Sequence, residues 1–225
     1  MNRFRIPPIY IHLLVLLPCC LIGAAKGATI VNRFGPGDTH SLNAGMVIGF
    51  HLGTDLQQAL SFTVPQSSDF FLDSIEVPLG LATNDAPTSS TFRILGDSGG
   101  LPDANALIEA FSIHGILGGS ATIFTAPSLN RPILSAGESY WLSAANDENI
   151  GIFGWANLND GSTPPRAVRR GFGPWVLENV SPPEDSDDLS TGGAFRINGT
   201  PIPEPGSTGL ILICAVLLII GGRRR

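Results

Sequence analysis

Cysteine is missing from the middle of this 225-residue chain. Cys19 and Cys20 lie in an apolar segment near the amino terminus, and Cys214 lies in another near the carboxyl terminus. The region between them, residues 28–202, therefore cannot form an internal disulfide or use a thiol in catalysis or metal binding. It is long enough to bury a hydrophobic core without such cross-links.

Lysine is also missing from residues 28–202, where seven arginines are outnumbered by eighteen acidic residues. The net charge of this region is −11. An acidic surface repels phosphate backbones, so we expect no nucleic acid among the partners. The same charge favours solubility and leaves room for a bound cation.

Long runs with a helical period are absent as well. Apolar runs are short and are separated by turn-forming residues, among them the 27 glycines and 18 prolines of the chain,. We therefore predict an all-β domain over residues 28–200, a β-sandwich of jelly-roll type, and no parallel α/β fold. Residues 103–110 suit either a strand or one helical turn. The predicted strands are 29–34, 57–64, 70–79, 91–96, 106–113, 120–125, 139–145, 150–155, 175–178 and 194–198.

Aromatic side chains on these strands are expected to fill the core of the sandwich. Pro78 predicts an edge or a strand end, because proline cannot donate a ladder hydrogen bond. The expected core aromatics are Phe62, Phe70, Phe71, Phe92, Phe111, Phe124, Trp141, Trp155 and Phe195.

Residues 1–27 have the features of a secretory signal peptide. Two arginines precede a short apolar run, and the small residues Ala25 and Gly27 stand where signal peptidase recognises its substrates,. We predict export, with cleavage after Gly27. A retained membrane helix is the alternative, which the short apolar run disfavours. A lipoprotein signal is weaker still, because Pro18 stands where a small residue should precede Cys19.

The carboxyl terminus has three consecutive parts: a Pro-Glu-Pro motif, an apolar run and a basic end. The apolar run would form a helix of about 25 Å, which barely spans a hydrocarbon core. The arginines of the basic end favour a cytoplasmic position for that end of the helix, which leaves the domain on the other side of the membrane. The three parts are Pro203, Glu204 and Pro205; residues 206–222; and Arg223, Arg224 and Arg225.

This arrangement resembles the PEP-CTERM sorting signal, in which the same three parts occur in the same order. The resemblance covers residues 202–225. It implies an exosortase-type membrane protease as a partner, a transient membrane insertion, and then transfer to the cell surface or extracellular matrix of a bacterium. The alternative is a permanent anchor, which has no need of the Pro-Glu-Pro motif.

Five short segments of the domain also follow a known family pattern in the same order; they are residues 58–63, 72–75, 92–102, 140–143 and 173–175. Together they resemble the choice-of-anchor R domain, and the resemblance covers most of residues 40–198. It implies a surface location and a β fold, but no known activity. The sequence departs from the family pattern where Leu101 is inserted before Pro102, and throughout residues 157–188.

Residues 96–100, Gly-Asp-Ser-Gly-Gly, match the nucleophile loop of chymotrypsin-like proteases. Those enzymes place a histidine, an acid and most of their fold ahead of the serine. Only residues 28–97 of the predicted mature chain precede Ser98. We therefore assign no catalytic residue and predict a hairpin turn, with local hydrogen bonds from Asp97 and Ser98 and positive φ at the two glycines.

Metal-ligand patterns are weak, and the four histidines of the chain show no zinc spacing,. Calcium suits an acidic exported domain better. Its weak candidate ligands are Asp147 and Glu148, or the acidic run at residues 184–188,. Neither group forms an EF-hand, and an acidic surface turn is the alternative for both.

Sugar binding is a further prediction, because aromatic rings can stack on sugar faces. Tyr140, Trp155 and Trp175 are candidate platforms for a glycan such as an exopolysaccharide. The alternative for each ring is a place in the core. Since neighbours on a strand alternate, Tyr140 and Trp141 should face opposite ways.

Arg166, Arg169 and Arg170 form the one basic cluster of the acidic domain. They suit contact with an acidic polysaccharide, or local pairing with the acidic run at residues 184–188.

Two functions remain open for the whole protein. The favoured one is a non-enzymatic surface or matrix protein for adhesion or exopolysaccharide association. The alternative is an extracellular carbohydrate-active hydrolase, for which no pair of carboxylates stands out.

Overall fold

The computed structural model describes residues 27–51, 54–81, 88–118, 120–146, 152–157, 164–178 and 192–203. The predicted signal peptide except Gly27, and the sorting signal from Glu204 onward, lie outside these residues. The calcium candidates Asp147 and Glu148 and the acidic run at 184–188 lie outside them too. Within the described ranges, no helix has the length and apolar character needed to cross a membrane.

The described part of the chain consists of strands and contains no helix, which confirms the all-β prediction. Residues 103–110 are part of a strand, not a helical turn. The strands are β1 (Ala28–Asn32), β2 (Ser41–His51), β3 (Thr54–Thr63), β4 (Phe70–Leu81), β5 (Thr88–Asp97), β6 (Pro102–Ile116), β7 (Thr122–Pro127), β8 (Ile133–Leu134), β9 (Ser139–Asn146), β10 (Ile152–Asn157), β11 (Arg166–Arg170), β12 (Val176–Glu178) and β13 (Arg196–Pro201).

These strands form one curled antiparallel sheet. Its main path runs β1-β13-β4-β10-β2-β3-β9-β5-β6. Strands β7 and β8 pair with β4, and the β11–β12 hairpin pairs with β3 through β11. The sheet curls over a single large core, because side chains of β4 and β13 pack there with side chains of β3, β5 and β9.

Seven of the nine aromatic side chains expected in the core are buried, six of them in the main core and Trp141 in a second one. The Phe92 ring meets the Trp155 ring edge-on at 5.1 Å between centroids. Phe71 and Phe124 are only half-buried. The Phe71 ring lies outside the core, where the Arg131 guanidinium sits 5.5 Å from its centroid.

A second, smaller core lies on the opposite face of β3, β5 and β9. Strand β9 is buried on both faces, which places Tyr140 in the main core and Trp141 in the second one. The opposite orientation predicted for these neighbours is therefore confirmed. Ala59, Leu95 and Ala167 complete the second core, and Leu101 and Trp175 pack against it.

Pro78 is neither at an edge nor at a strand end, contrary to the prediction. It lies within β4, opposite Ile123 of β7. On the other side of β4, the pairing with β13 reaches Glu76 and the pairing with β10 begins at Leu79. Pro78 thus falls in the gap between two partner strands, where a missing N–H interrupts no ladder on that side.

Candidate functional site

The protease-like residues 96–100 form the tight turn between β5 and β6. Ser98 and Leu101 exchange backbone hydrogen bonds of 2.9 and 3.3 Å across the turn. Gly99 and Gly100 have φ of 63° and 83°, as a type I′ hairpin turn requires,. The local geometry is therefore the predicted turn.

The Asp97 carboxylate holds this turn against the second core. One oxygen accepts a 3.0 Å hydrogen bond from the Gly100 N–H. The other accepts a 2.7 Å hydrogen bond from Nε1 of Trp141. Both carboxylate oxygens thus have structural partners, and the Trp141 bond joins residues far apart in sequence. The sequence predicted the local bond but not the Trp141 partner.

Two of the three predicted sugar platforms have no face open to a ligand. Trp155 is fully buried, and its Nε1 donates a 2.7 Å hydrogen bond to the Ala194 carbonyl. Tyr140 is 8% exposed, stacks on Phe62, and accepts a hydrogen bond at its hydroxyl from the Ser135 N–H. Both rings take the core alternative, because the curl of the sheet encloses that face of β9 and β10.

Trp175 lies instead in the segment that joins β11 to β12, directly before β12. Its ring is half-buried and packs on the second core. Its Nε1 is buried and has no hydrogen-bond partner within the described residues. The structure thus places Trp175 beside the arginine cluster of β11.

The β11–β12 hairpin is held by short local contacts. The turn contains Gly171 with φ of 55°. Its N–H donates a 2.7 Å hydrogen bond to the Asp55 carbonyl. Arg169 Nε donates to the Gly173 carbonyl at 2.9 Å, and the Gly173 N–H donates to the Arg170 carbonyl. The Gly171 bond attaches the tip of the hairpin to β3, and the other two bonds hold the tip itself.

The three arginines of β11 have different surroundings. Arg166 forms a 2.6 Å ion pair with Glu178 across the hairpin. The predicted pairing with residues 184–188 falls on residues outside the described ranges and stays a prediction. The Arg169 side chain is held in the turn by its hydrogen bond to the Gly173 carbonyl. Arg170, by contrast, is exposed and lines a groove on the hairpin.

The hairpin also exposes apolar side chains. Phe172, at its tip, is 100% exposed, and Val176 and Leu177 of β12 are also largely exposed. The groove has a volume of about 340 Å³, near the lower end of the range for ligand pockets,. Its lining is Val168, Arg170, Gly173, Pro174, Val176, Leu177 and Glu178.

Phe172 is the site residue that sequence reasoning missed. The signal was present, because an aromatic residue stands between two glycines in Arg-Gly-Phe-Gly-Pro at residues 170–174. Glycine on both sides of a residue is typical of a turn tip, where a ring cannot reach the core.

Among the described residues, no group of three or more metal-ligating side chains is present.

The comparisons with known proteins identify no family for this chain. No protein-family model matches the chain, and no curated protein matches it. Among solved structures, the chain is similar to the cysteine protease and lectin-like domains of Cwp84, a surface layer associated protein of Clostridium difficile, with 10% sequence identity and a TM-score of 0.46. The similarity covers 73% of this chain and 37% of that one. A likeness of this strength carries no argument about function.

Proposed function

We propose that this chain is an exported bacterial surface or matrix protein, delivered by the PEP-CTERM route, that associates with an acidic exopolysaccharide without cleaving it. Export and sorting rest on the two termini, with exosortase and signal peptidase as processing partners. We also propose that the strands of the curled sheet are arranged as a jelly roll. The polysaccharide contact rests on the β11–β12 hairpin.

One observation carries the polysaccharide contact: an exposed arginine and an exposed aromatic ring share one hairpin of an otherwise acidic domain. Arg170 lines the groove and Phe172 projects fully from the adjacent tip. A guanidinium binds carboxylate or sulfate groups through charge-assisted hydrogen bonds. A flat ring supplies apolar contact to a sugar face. Together they suit a chain of anionic sugars.

The groove favours binding over hydrolysis. A glycosidase needs two carboxylates flanking the scissile bond. The described lining of the groove holds one carboxylate, Glu178, and this group is paired with Arg166. The described lining of the groove thus offers no pair of carboxylates for the hydrolase alternative, and residues 179–191, which follow Glu178, lie outside the described residues.

Binding of full-length protein to alginate, a carboxylated polysaccharide, and to neutral dextran tests this proposal. We expect alginate binding that requires Arg170, and little dextran binding, because a neutral polysaccharide offers that guanidinium no anionic partner. Arg170→Ala and Phe172→Ser should each weaken alginate binding roughly three- to tenfold, since the loss of one solvent-exposed charge contact or one apolar contact costs about 1 kcal/mol.

Ile133→Ser is the matched control, since Ile133 is 50% exposed on β8, away from the hairpin. It should leave alginate binding unchanged. Equal binding by the hairpin variants and the wild type would refute the assignment of the hairpin. Release of new reducing ends from either polysaccharide would instead support the hydrolase.

A further inference from the structure

The carboxyl-terminal segment leaves the domain at one end of the sheet. Strand β13 ends at Pro201, and the Ile202 N–H donates a 2.8 Å hydrogen bond to the Asp69 carbonyl. Ile202 and Pro203 then line a small pocket of about 200 Å³ together with the turn at residues 66–69. The chain is therefore held against the domain as far as Pro203.

The tether between Pro203 and the predicted membrane helix is short, because that helix is predicted to begin at residue 206. Three residues span at most about 11 Å when fully extended. The headgroup layer on each side of a bilayer is about 5–7 Å thick. With the helix inserted, this end of the domain would thus lie within a few Å of the lipid headgroups. Pro203 and Pro205 stiffen the tether further, because proline fixes its own φ and restricts the residue before it.

The amino terminus leaves the domain at the same end. Ala28, the first residue of β1, pairs with Gly199 of β13, two residues before that strand ends. The predicted signal peptide ends at Gly27. Because β1 and β13 are antiparallel neighbours, the two segments predicted to enter a membrane leave the domain side by side.

This end of the sheet consists of two turns, at residues 64–69 and 135–138. Backbone hydrogen bonds of 3.0 and 3.1 Å join them. Each turn carries a single charged residue, Asp69 in the first and Glu138 in the second, and both are exposed. Two carboxylates suit zwitterionic headgroups better than anionic ones, which would repel them.

The β11–β12 hairpin lies at the opposite end of the sheet. Gly171 at its tip is bonded to Asp55 near the start of β3, whereas β3 ends at Thr63, next to the turn at 64–69. The ten residues of β3 span about 30 Å at about 3.3 Å per residue,. The hairpin tip is therefore far from the end that carries both termini.

We propose that, while the carboxyl-terminal helix is inserted, the short tether holds the end of the sheet formed by residues 64–69 and 135–138 against the headgroups of a lipid bilayer. The hairpin then points away from the membrane, where a polysaccharide can reach it before the protein is released. The inference rests on the membrane insertion in the proposed function, but not on polysaccharide binding.

Site-specific fluorescence in phosphatidylcholine vesicles tests this contact on residues 28–225, which contain every described strand and a single cysteine, Cys214. With Cys214 replaced by serine, Gln66→Cys places an environment-sensitive dye at the exposed turn of the membrane-facing end. Phe172→Cys places the same dye at the fully exposed hairpin tip and is the matched control. Lipids with a nitroxide headgroup should quench the dye at position 66 and leave the dye at position 172 unchanged.

A Gly-Ser spacer inserted after Pro203 should restore the emission at position 66. A spacer of about twelve residues has a root-mean-square length of about 20 Å, which lets the domain move off the headgroups. Unchanged quenching with the spacer would overturn the tether as the cause of the contact.

Flotation of the vesicles separates the remaining outcomes. Equal emission from the two dyes on protein that floats with the vesicles would refute the contact and leave the membrane insertion in place. Protein that does not float with the vesicles would refute the insertion itself, on which both this inference and the sorting proposal depend.

Discussion

At the scale of single residues, Asp97 shows how a familiar motif serves the fold. Its carboxylate joins the Gly100 N–H to the Trp141 indole. The turn residues Gly99 and Gly100 are predictable from sequence, because two glycines after a strand favour positive φ at both positions. The Trp141 partner was not predictable, since it depends on how β9 lies beside β5.

Replacing Asp97 with Ala should destabilise the protein by about 1–3 kcal/mol, because the indole N–H loses its charged acceptor. Urea denaturation followed by tryptophan fluorescence measures this change. Ser98→Ala, in the same turn, should alter the free energy of unfolding by less than about 0.5 kcal/mol. An equal loss in both variants would show that Asp97 has no special role.

Gly193 is needed for space rather than for backbone freedom. A Cβ at this position would lie 2.3 Å from ring atoms of Trp155. The ring cannot move easily, because it packs edge-on against Phe92 and is hydrogen-bonded to Ala194. Overpacking of this kind costs about 1–3 kcal/mol.

Gly193→Ala should therefore lower the midpoint of thermal unfolding, measured by circular dichroism. Gly154→Ala is the matched control in the neighbouring strand, where a Cβ would meet only the Gly80 carbonyl at 3.7 Å. We expect a much smaller shift for that variant. Equal shifts would contradict the packing of Trp155 against Gly193.

At the scale of elements, the ten predicted strands correspond to observed ones, and β2, β8 and β11 were missed. β8 has only two residues. β11 carries three arginines in five residues, which is typical of a solvated loop. It is a strand because it pairs with β3 and places Ala167 in the second core. Such tertiary contacts are not encoded in a local pattern.

Glu109 is the strongest element-level contact that the sequence did not reveal. Its buried carboxylate ties β6 to the loop between β7 and β8, and accepts hydrogen bonds from Ser128 as well as from Leu129 and Asn130. Glu109→Gln should cost about 1–2 kcal/mol, because a neutral amide oxygen would replace the charged acceptor of the Leu129 and Asn130 N–H groups and the amide NH2 group would face the Ser128 hydroxyl,.

Hydrogen exchange should accordingly become faster at residues 128–131 in Glu109→Gln than in the wild type. Glu138→Gln removes the same charge from an exposed turn and should leave exchange in that loop unchanged. Unchanged exchange in both variants would mean that the loop is held by other contacts.

At the scale of the whole molecule, composition predicted the fold class but not the curl of the sheet. The absence of helical periods and the frequency of glycine and proline were sufficient for an all-β fold. The curl depends on pairings between distant segments, such as β10 with both β2 and β4. The candidate site follows the same division, because the arginine cluster and Phe172 are neighbours in sequence, whereas the pairing of β11 with β3 that holds the hairpin on the sheet was not predictable.

We propose that the two termini act as delivery signals for the β domain. Fractionation of the producing bacterium, followed by mass spectrometry of both ends of the protein, tests it most directly. We predict protein at the cell surface or in the medium that begins at Ala28 and ends at or near the motif of Pro203, Glu204 and Pro205. Recovery of the intact 225-residue chain from the cytosol would contradict the account.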